Sequence, residues 1–534
     1  MRTHPAWFIA FHPHVHPLDM VVIAAYLIGI TWFGLRFRKP ERTLQSYFLA
    51  DRNIPWWAIM LSIVSAETST LTIISVPGLA FAGNFGFLQL VFGYLLGRVV
   101  VCIAFLPRYF RGELLTAYQL IGQRFGPKLH RVTALLFLLT RAAAEGVRVF
   151  AVAIVVHAAL GTGDVASIAI ITLLTLVYTF EGGLAAVIWT DVIQMGIYAV
   201  GIGLALWMLI YRVPGGWPVI HHVAAAAGKF TLWNFSLNLT TTYTFWAGLI
   251  GGCFLTMASH GTDQLMVQRL LAARNLRDSQ RALLSSGVLI LVQFFFFLLI
   301  GAALFVYYAQ AGSGAHFASA DQVFPAFIVS RFPTGFAGLM IAAILAAAMS
   351  NLSAALNSLS STSVIDLYLR MRPHASNSRR ILISRASTVG WALVLFALAV
   401  LSRTGGHVVE LGLAIASVAY GSLLGVFLLG VLTRKANETG TIVGMVFGFT
   451  FNVLLWLQPR AIHFSFVGHS LTMPKVAWTW FVVFGAIFTF SIGYLASCFF
   501  RPVTVEQTEK YGGNHAQAED SPASKRLALR EAKY

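Results

Sequence analysis

Predominantly apolar stretches of about 20 residues recur along almost the whole chain, each long enough to cross a ~30 Å hydrocarbon core as a helix. Thirteen such spans are predicted, near 17–37, 55–82, 86–107, 131–159, 164–180, 184–210, 242–266, 282–309, 336–363, 381–402, 407–432, 440–458 and 476–500. The connections between them are too short for a soluble domain. A membrane β-barrel would show ~10-residue segments of alternating polarity instead. The pattern therefore predicts an all-α polytopic membrane protein. Residues 1–16 precede the first span and lack the charged start, apolar core and small-residue cleavage site of a signal peptide. Residues 501–534 form a polar tail expected to be partly disordered.

Composition agrees: 57% of the 534 residues are hydrophobic and 11% charged, with a mean hydropathy of +0.75. A net charge of +17 would suggest a nucleic-acid partner until its distribution is read. With the N-terminus outside, 27 of the 37 Lys and Arg fall on the cytoplasmic side, seven outside and three within a span. The positive-inside rule accounts for that asymmetry and places the C-terminus in the cytoplasm. A multi-pass protein of the cell (inner or plasma) membrane is expected, monomeric and without a nucleic-acid partner. Cys102, Cys253 and Cys498 fall in separate spans and show no metal or disulfide spacing, so they read as packing residues.

Polar side chains inside spans are costly and should face the bundle or a wet cavity. The stretch "SIVSAETSTLTIISVPG", 62–78, holds seven hydroxyls and the carboxylate of Glu67. Such a segment can unwind locally and offer oxygens to a hard cation; alternatively its hydroxyls back-bond and let helices approach closely. In "LAAAMSNLSAALNSLSSTSVIDLY", 345–368, Ser350, Ser353, Asn357 and Ser360 share one helix face, as a hydrated path or as plain close packing. In "TRAAAEGVRVF", 140–150, Arg141, Glu145 and Arg148 meet at i, i+3 and i+4, with Glu145 about 21 Å into its span. They form either a self-neutralising triad or, through their surplus positive charge, a grip on an anionic solute. Asp191 either attracts a cation along a pathway or sits half-solvated at the cytoplasmic edge. His12, His14 and His16 suit an exposed terminus better than a metal site. Of the lone histidines His157 and His260, the second interrupts an apolar run in "ASHGTDQ". No HExxH, Gly-x-Ser-x-Gly or phosphate-cradling loop is present.

Five dispersed motifs, "DRNIPWWAIMLSIVSAETSTLTIISVPG", "YFRGELLTAYQLIGQRFG", "YTFEGGLAAVIWTDVIQ", "GTDQLMVQRLLAARN" and "AAAMSNLSAALNSLSSTSVIDLY", together resemble the sodium:solute symporter family, with similarity from about 20 to 450. The resemblance implies a LeuT-like core of two five-helix inverted repeats over 55–432. One extra helix (17–37) would precede it and two (440–500) follow. The discontinuous first and sixth core helices would be 55–82 and 242–266. It also implies Na+ as coupling ion, with carbonyls of Ser65, Thr68 and Ala347 and the Ser350 side chain as ligands. Asn351 stands where the family usually has a second hydroxyl, and its amide oxygen is expected to ligate the ion in that place. Glu67 and Ala354 stand where a second sodium would want Thr and Ser, so one sodium is expected. Asp191 matches the family's acidic residue near the ion's cytoplasmic exit, and Glu67 lies on the same pathway. Ser259 and Ile290 occupy the places of the sugar carriers' aromatic gate and lysine, against a glucose-type site. Sialic-acid carriers place an arginine about one turn from Arg141. The implied activity is therefore sodium-coupled symport of a small organic solute by alternating access. An anionic solute (a carboxylate or sialic-acid-like compound) leads, with Arg141, Glu145, Arg148, Ser259 and His260 as substrate-binding candidates and Na+ as the only metal. A neutral-solute carrier and a non-transporting sensor on the same scaffold are the alternatives. An intramembrane enzyme built on Glu67, His260 or Asp191 lacks a nucleophile–base or metal spacing, so no catalysis is expected.

Overall fold

The computed structural model describes residues 16–37, 43–111, 114–160, 163–310, 317, 320–402, 408–457, 464–466, 469–471 and 476–500. His12, His14, the rest of the leading segment and the tail from 501 lie outside the described residues, as does the side chain of His157. His16 is the N-cap of the first helix, its Nδ1 accepting from the Leu18 N–H.

The chain is a helical bundle. Its principal helices are α1 (Pro17–Leu35), α2 (Trp56–Glu67), α3 (Thr70–Ala82), α4 (Leu88–Val100), α5 (Pro127–Leu160), α6 (Asp164–Arg212), α7 (Gly252–Gly261), α8 (Gln264–Leu271), α9 (Leu276–Gln310), α10 (Phe336–Thr362), α11 (Asn377–Leu401), α12 (Val408–Leu432), α13 (Glu438–Leu457) and α14 (Phe481–Phe499). Among the described residues eight helical stretches are long and apolar enough to cross a membrane, and Trp56–Glu67 and Ala416–Leu432 are shorter apolar helices. Helix length and hydropathy alone thus do not return the expected thirteen, and two of the differences are explained by the backbone. The expected span 55–82 is cut in two, and 164–180 runs into 184–210 through a kink at Gly183 (φ +58°, ψ −154°). Only glycine adopts that conformation without strain. A short antiparallel hairpin, Phe464–Phe466 with His469–Leu471, lies between α13 and α14 and departs from an all-helical chain.

α10 is the axis of the molecule. Its most apolar stretch is 94% buried, against 22% for α1. It packs against α6, α5, α1, α2 and α8. The Ala and Ser residues that cover it on every side permit that crowding, because small side chains let helix backbones approach closely.

Two helices break beside it. α2 ends where Thr68 turns extended (ψ 100°), and α3 begins from Ser69. There Ser69 Oγ accepts from the Thr72 N–H at 3.2 Å and Thr72 Oγ1 accepts from the Ser69 N–H at 3.3 Å. This reciprocal box contributes about 1 kcal/mol and makes the break a stable feature. α7 ends at Thr262, and Asp263 caps α8 through Oδ1 and the Leu265 N–H at 2.9 Å. Both interruptions fall within the spans where the resemblance implies them. α4 lies tightly against the turn that leads into α7: a Cβ on Gly93 would stand 2.2 Å from the Gly248 carbonyl oxygen. That approach brings α4 side chains to both breaks.

Candidate ion and solute site

Around the first break the residues expected to hold the ion lie together. Ser65 Oγ donates to Ser350 Oγ at 3.0 Å, and Ser350 Oγ donates to Asp191 Oδ1 at 2.7 Å. Asp191 is wholly buried, so the half-solvated alternative for it is excluded. Its other oxygen accepts from Ser62 Oγ and, at 3.0 Å, from Arg269 Nη2. Arg269 Nε in turn donates to Ser62 Oγ at 2.8 Å. Arg269, counted from the sequence among the cytoplasmic loop cations, is therefore a buried partner of Asp191. Burial of either charge alone would be prohibitive; together, with further hydrogen bonds to Ser62, Ser350 and the Leu265 carbonyl, they are tolerated.

Asn351 also sits here, with the nitrogen of its carboxamide toward the backbone carbonyls. Its Nδ2 donates to the Thr68 carbonyl at 3.2 Å and the Ala347 carbonyl at 3.0 Å. Gln293 Nε2 donates to Thr68 Oγ1 at 2.8 Å.

The Arg141–Glu145–Arg148 cluster forms as its spacing predicts, with a consequence the spacing does not reveal. Arg141 Nη2 meets Glu145 at 3.0 Å and its Nη1 meets Asp263 Oδ2 at 3.5 Å. Tyr420 donates to the same Asp263 oxygen at 2.7 Å. The triad's surplus positive charge is therefore cancelled by Asp263 at the second helix break, and Arg141 is held between two carboxylates. Arg148 differs. Among the described residues its one ion pair, to Glu145 at 3.4 Å, leaves most of its five N–H donors unspent, and its side chain keeps 21% exposure. It lines a small cavity of about 20 Å³ with Ser69, Glu145, Ala348, Asn351 and the apolar Val149, Val152 and Leu352. That space adjoins the broken helix.

At the end of α2 stands an ion pair whose arginine sequence reading missed. Glu67 pairs with the fully buried Arg98, and His260 Nε2 lies 3.6 Å from the same carboxylate. Arg98 also donates through Nε to Ser286 Oγ and through Nη1 to the Tyr94 carbonyl, both at 3.3 Å. Ser259 Oγ is 2.9 Å from His260 Nδ1. The substrate-binding candidates thus divide: Glu145 and Arg148 reach the cavity, Ser259 and His260 support the Glu67–Arg98 pair, and Arg141 is locked. The signal for Arg98 was available. Glu67 and Arg98 are intramembrane charges with no opposite partner at i±3 or i±4 on their own helices.

A profile of the sodium:solute symporter family matches residues 47–448. The chain belongs to the sodium:solute symporter family. Similar proteins include the sodium/sialic acid symporter SiaT of Proteus mirabilis, 29% identical over 440 residues that cover 80% of this chain and 87% of that one. The sodium/sialic acid symporter NanT of Aliivibrio fischeri is 26% identical over 493 residues, covering 91% and 94%. A solved Na+-coupled sialic acid symporter, substrate-bound and outward-open, matches with a TM-score of 0.80 at 27% identity, covering 92% of this chain and 99% of that one. This symporter is accordingly a multi-pass membrane transporter with a LeuT-like core, not an enzyme, and Na+ is its coupling ion.

Proposed function

We propose that this symporter carries a carboxylate-bearing solute of the sialic-acid class into the cell, with Arg148 as the residue that grips the carboxylate. The observation that supports this is the contrast between Arg148 and three buried arginines. Arg98, Arg141 and Arg269 are each committed to a carboxylate and to further partners, whereas Arg148 faces the cavity at the helix break with unspent donors. A guanidinium in that position suits bidentate carboxylate binding. The start of α3 at Ser69 lies on the same cavity and adds the positive end of a helix dipole. Similarity to sialic acid symporters points the same way.

The sodium ligands in this reading are the carbonyls of Ser65, Thr68 and Ala347 and the Ser350 hydroxyl. Asp191 lies behind Ser350 on the ion's way to the cytoplasm, and Glu67 borders the solute side with its charge held by Arg98. The core occupies 55–432, flanked by the extra helix 17–37 and the pair within 440–500. The chain functions as a monomer in the cell membrane, N-terminus outside and C-terminus in the cytoplasm. Moving Arg269 from loop to interior leaves the positive-inside asymmetry intact. Reconstituted protein under an inward sodium gradient should take up N-acetylneuraminate, and R148Q should lower that uptake at least tenfold while sodium still stabilises the protein thermally. Undiminished uptake by R148Q, or preference for a neutral hexose, would overturn the carboxylate reading.

A further inference from the structure

We propose that the Asn351 carboxamide is a built-in stand-in for the coupling ion: its amino group holds the Thr68 and Ala347 carbonyls, and sodium enters only by turning it away. The inference rests on the sodium site proposed above, since those two carbonyls are among its ligands.

Nδ2 carries two protons, and both are spent, one on Thr68 at 3.2 Å and one on Ala347 at 3.0 Å. Thr68 ends the first half of the broken helix and Ala347 lies on the central helix α10, so the amino group staples the same two elements that a bound cation would bridge. The other end of the carboxamide is the telling one. Among the described residues Asn351 Oδ1 is buried without a hydrogen-bond partner. Leaving an acceptor so is unfavourable, and a half-turn about the Cβ–Cγ bond would exchange nitrogen for oxygen without moving the backbone. That turn would aim Oδ1 at two carbonyl oxygens, three acceptors with no proton between them. Only a cation among them makes the arrangement favourable. The orientation of the amide is therefore coupled to ion occupancy: nitrogen inward without sodium, oxygen inward with it.

Gln293 repeats the arrangement from α9. Its Nε2 donates to Thr68 Oγ1 at 2.8 Å while its Oε1 is buried and, among the described residues, unpartnered. Two carboxamides thus converge on Thr68 with nitrogens engaged and oxygens idle. A hydroxyl at 351 would ligate sodium without competing for its site. Asparagine does both, so sodium must displace two hydrogen bonds before it binds.

The test is a sodium titration of thermal stability and of uptake for wild type, N351S and S350A. N351S should lower the half-maximal sodium concentration about tenfold, equivalent to about 1.4 kcal/mol. It should also lower the melting temperature in sodium-free buffer, because the staple is gone, and sodium should restore it. N351T, with the same hydroxyl, serves where N351S is not recovered. S350A should raise the sodium requirement. If S350A raises it while the position-351 variant leaves it unchanged or raises it too, Asn351 is an ordinary ligand and the stand-in idea fails. An unchanged sodium-free melting temperature in that variant overturns the idea equally. If S350A leaves sodium dependence untouched, the proposed sodium site itself is wrong.

Discussion

Replacing Glu67 by glutamine keeps shape and hydrogen-bonding capacity but removes one charge, and the surroundings decide what that costs. Arg98 is completely buried, and apart from Glu67 its partners are Ser286 Oγ, the Tyr94 carbonyl and an imidazole. None of these supplies a negative charge. E67Q therefore strands a buried cation, which costs about 3–5 kcal/mol, against a total stability of about 5–15 kcal/mol for a typical domain. R98Q should be milder, because Glu67 retains 16% exposure and is free to take up a proton. Removing both charges in E67Q/R98Q should recover most of the loss, since replacing a whole buried pair with neutral groups is often near neutral. The coupling is read from thermal or denaturant unfolding of detergent-purified protein in a double-mutant cycle. Unaltered stability of E67Q, or a double variant as damaged as both single changes summed, would show that Glu67 and Arg98 do not depend on one another.

Three further outcomes follow from the geometry. S350A removes both a proposed sodium ligand and the donor to Asp191 at 2.7 Å, so half-maximal uptake should require several-fold more sodium; an unshifted sodium curve contradicts the assignment. D191N leaves Arg269 without its carboxylate and should destabilise the protein by about 3 kcal/mol, measured by unfolding, with D191N/R269Q recovering part of it. R141Q, unlike R148Q, should act chiefly on stability, because it frees Glu145 and Asp263 from their shared partner. A carboxylate KM that rises more for R141Q than for R148Q would reverse their roles.

Periodicity and hydropathy were enough to read most of the scaffold from sequence. The Gly183 kink fell between two expected spans, and both interrupted helices fell inside the spans named for them. What periodicity expresses is contact within one element, so Arg141, Glu145 and Arg148 were grouped correctly from i, i+3 and i+4 spacing. It is blind to contact between elements. Asp263, 118 positions beyond Glu145, cancels the very charge on which the anion grip was first built. Arg269 looked like a loop cation because it lies just beyond the expected span 242–266; only its contacts with Ser62 and Asp191 show that it faces inward. Asn351 was recognised as unusual, yet which end of its amide points at the carbonyls is a property of the folded site.

The charge pairing also bears on how much work the sodium gradient can do. Glu67, Glu145, Asp191 and Asp263 are matched within the bundle by Arg98, Arg141, Arg148 and Arg269, so the site itself contributes no net charge. What crosses the membrane is then set by the cargo alone. A monocarboxylate carried with one sodium is electroneutral and takes nothing from the membrane potential; a tenfold sodium gradient supplies about 1.4 kcal/mol, enough for tenfold accumulation. A neutral solute carried with the same ion would add about 2.3 kcal/mol for every 100 mV. If Arg148 grips a carboxylate and one sodium is coupled, uptake into proteoliposomes must therefore respond to the sodium gradient and ignore an imposed potential. Strong acceleration by an inside-negative potential would require either a second cation or an uncharged solute, and so would break one of those two premises.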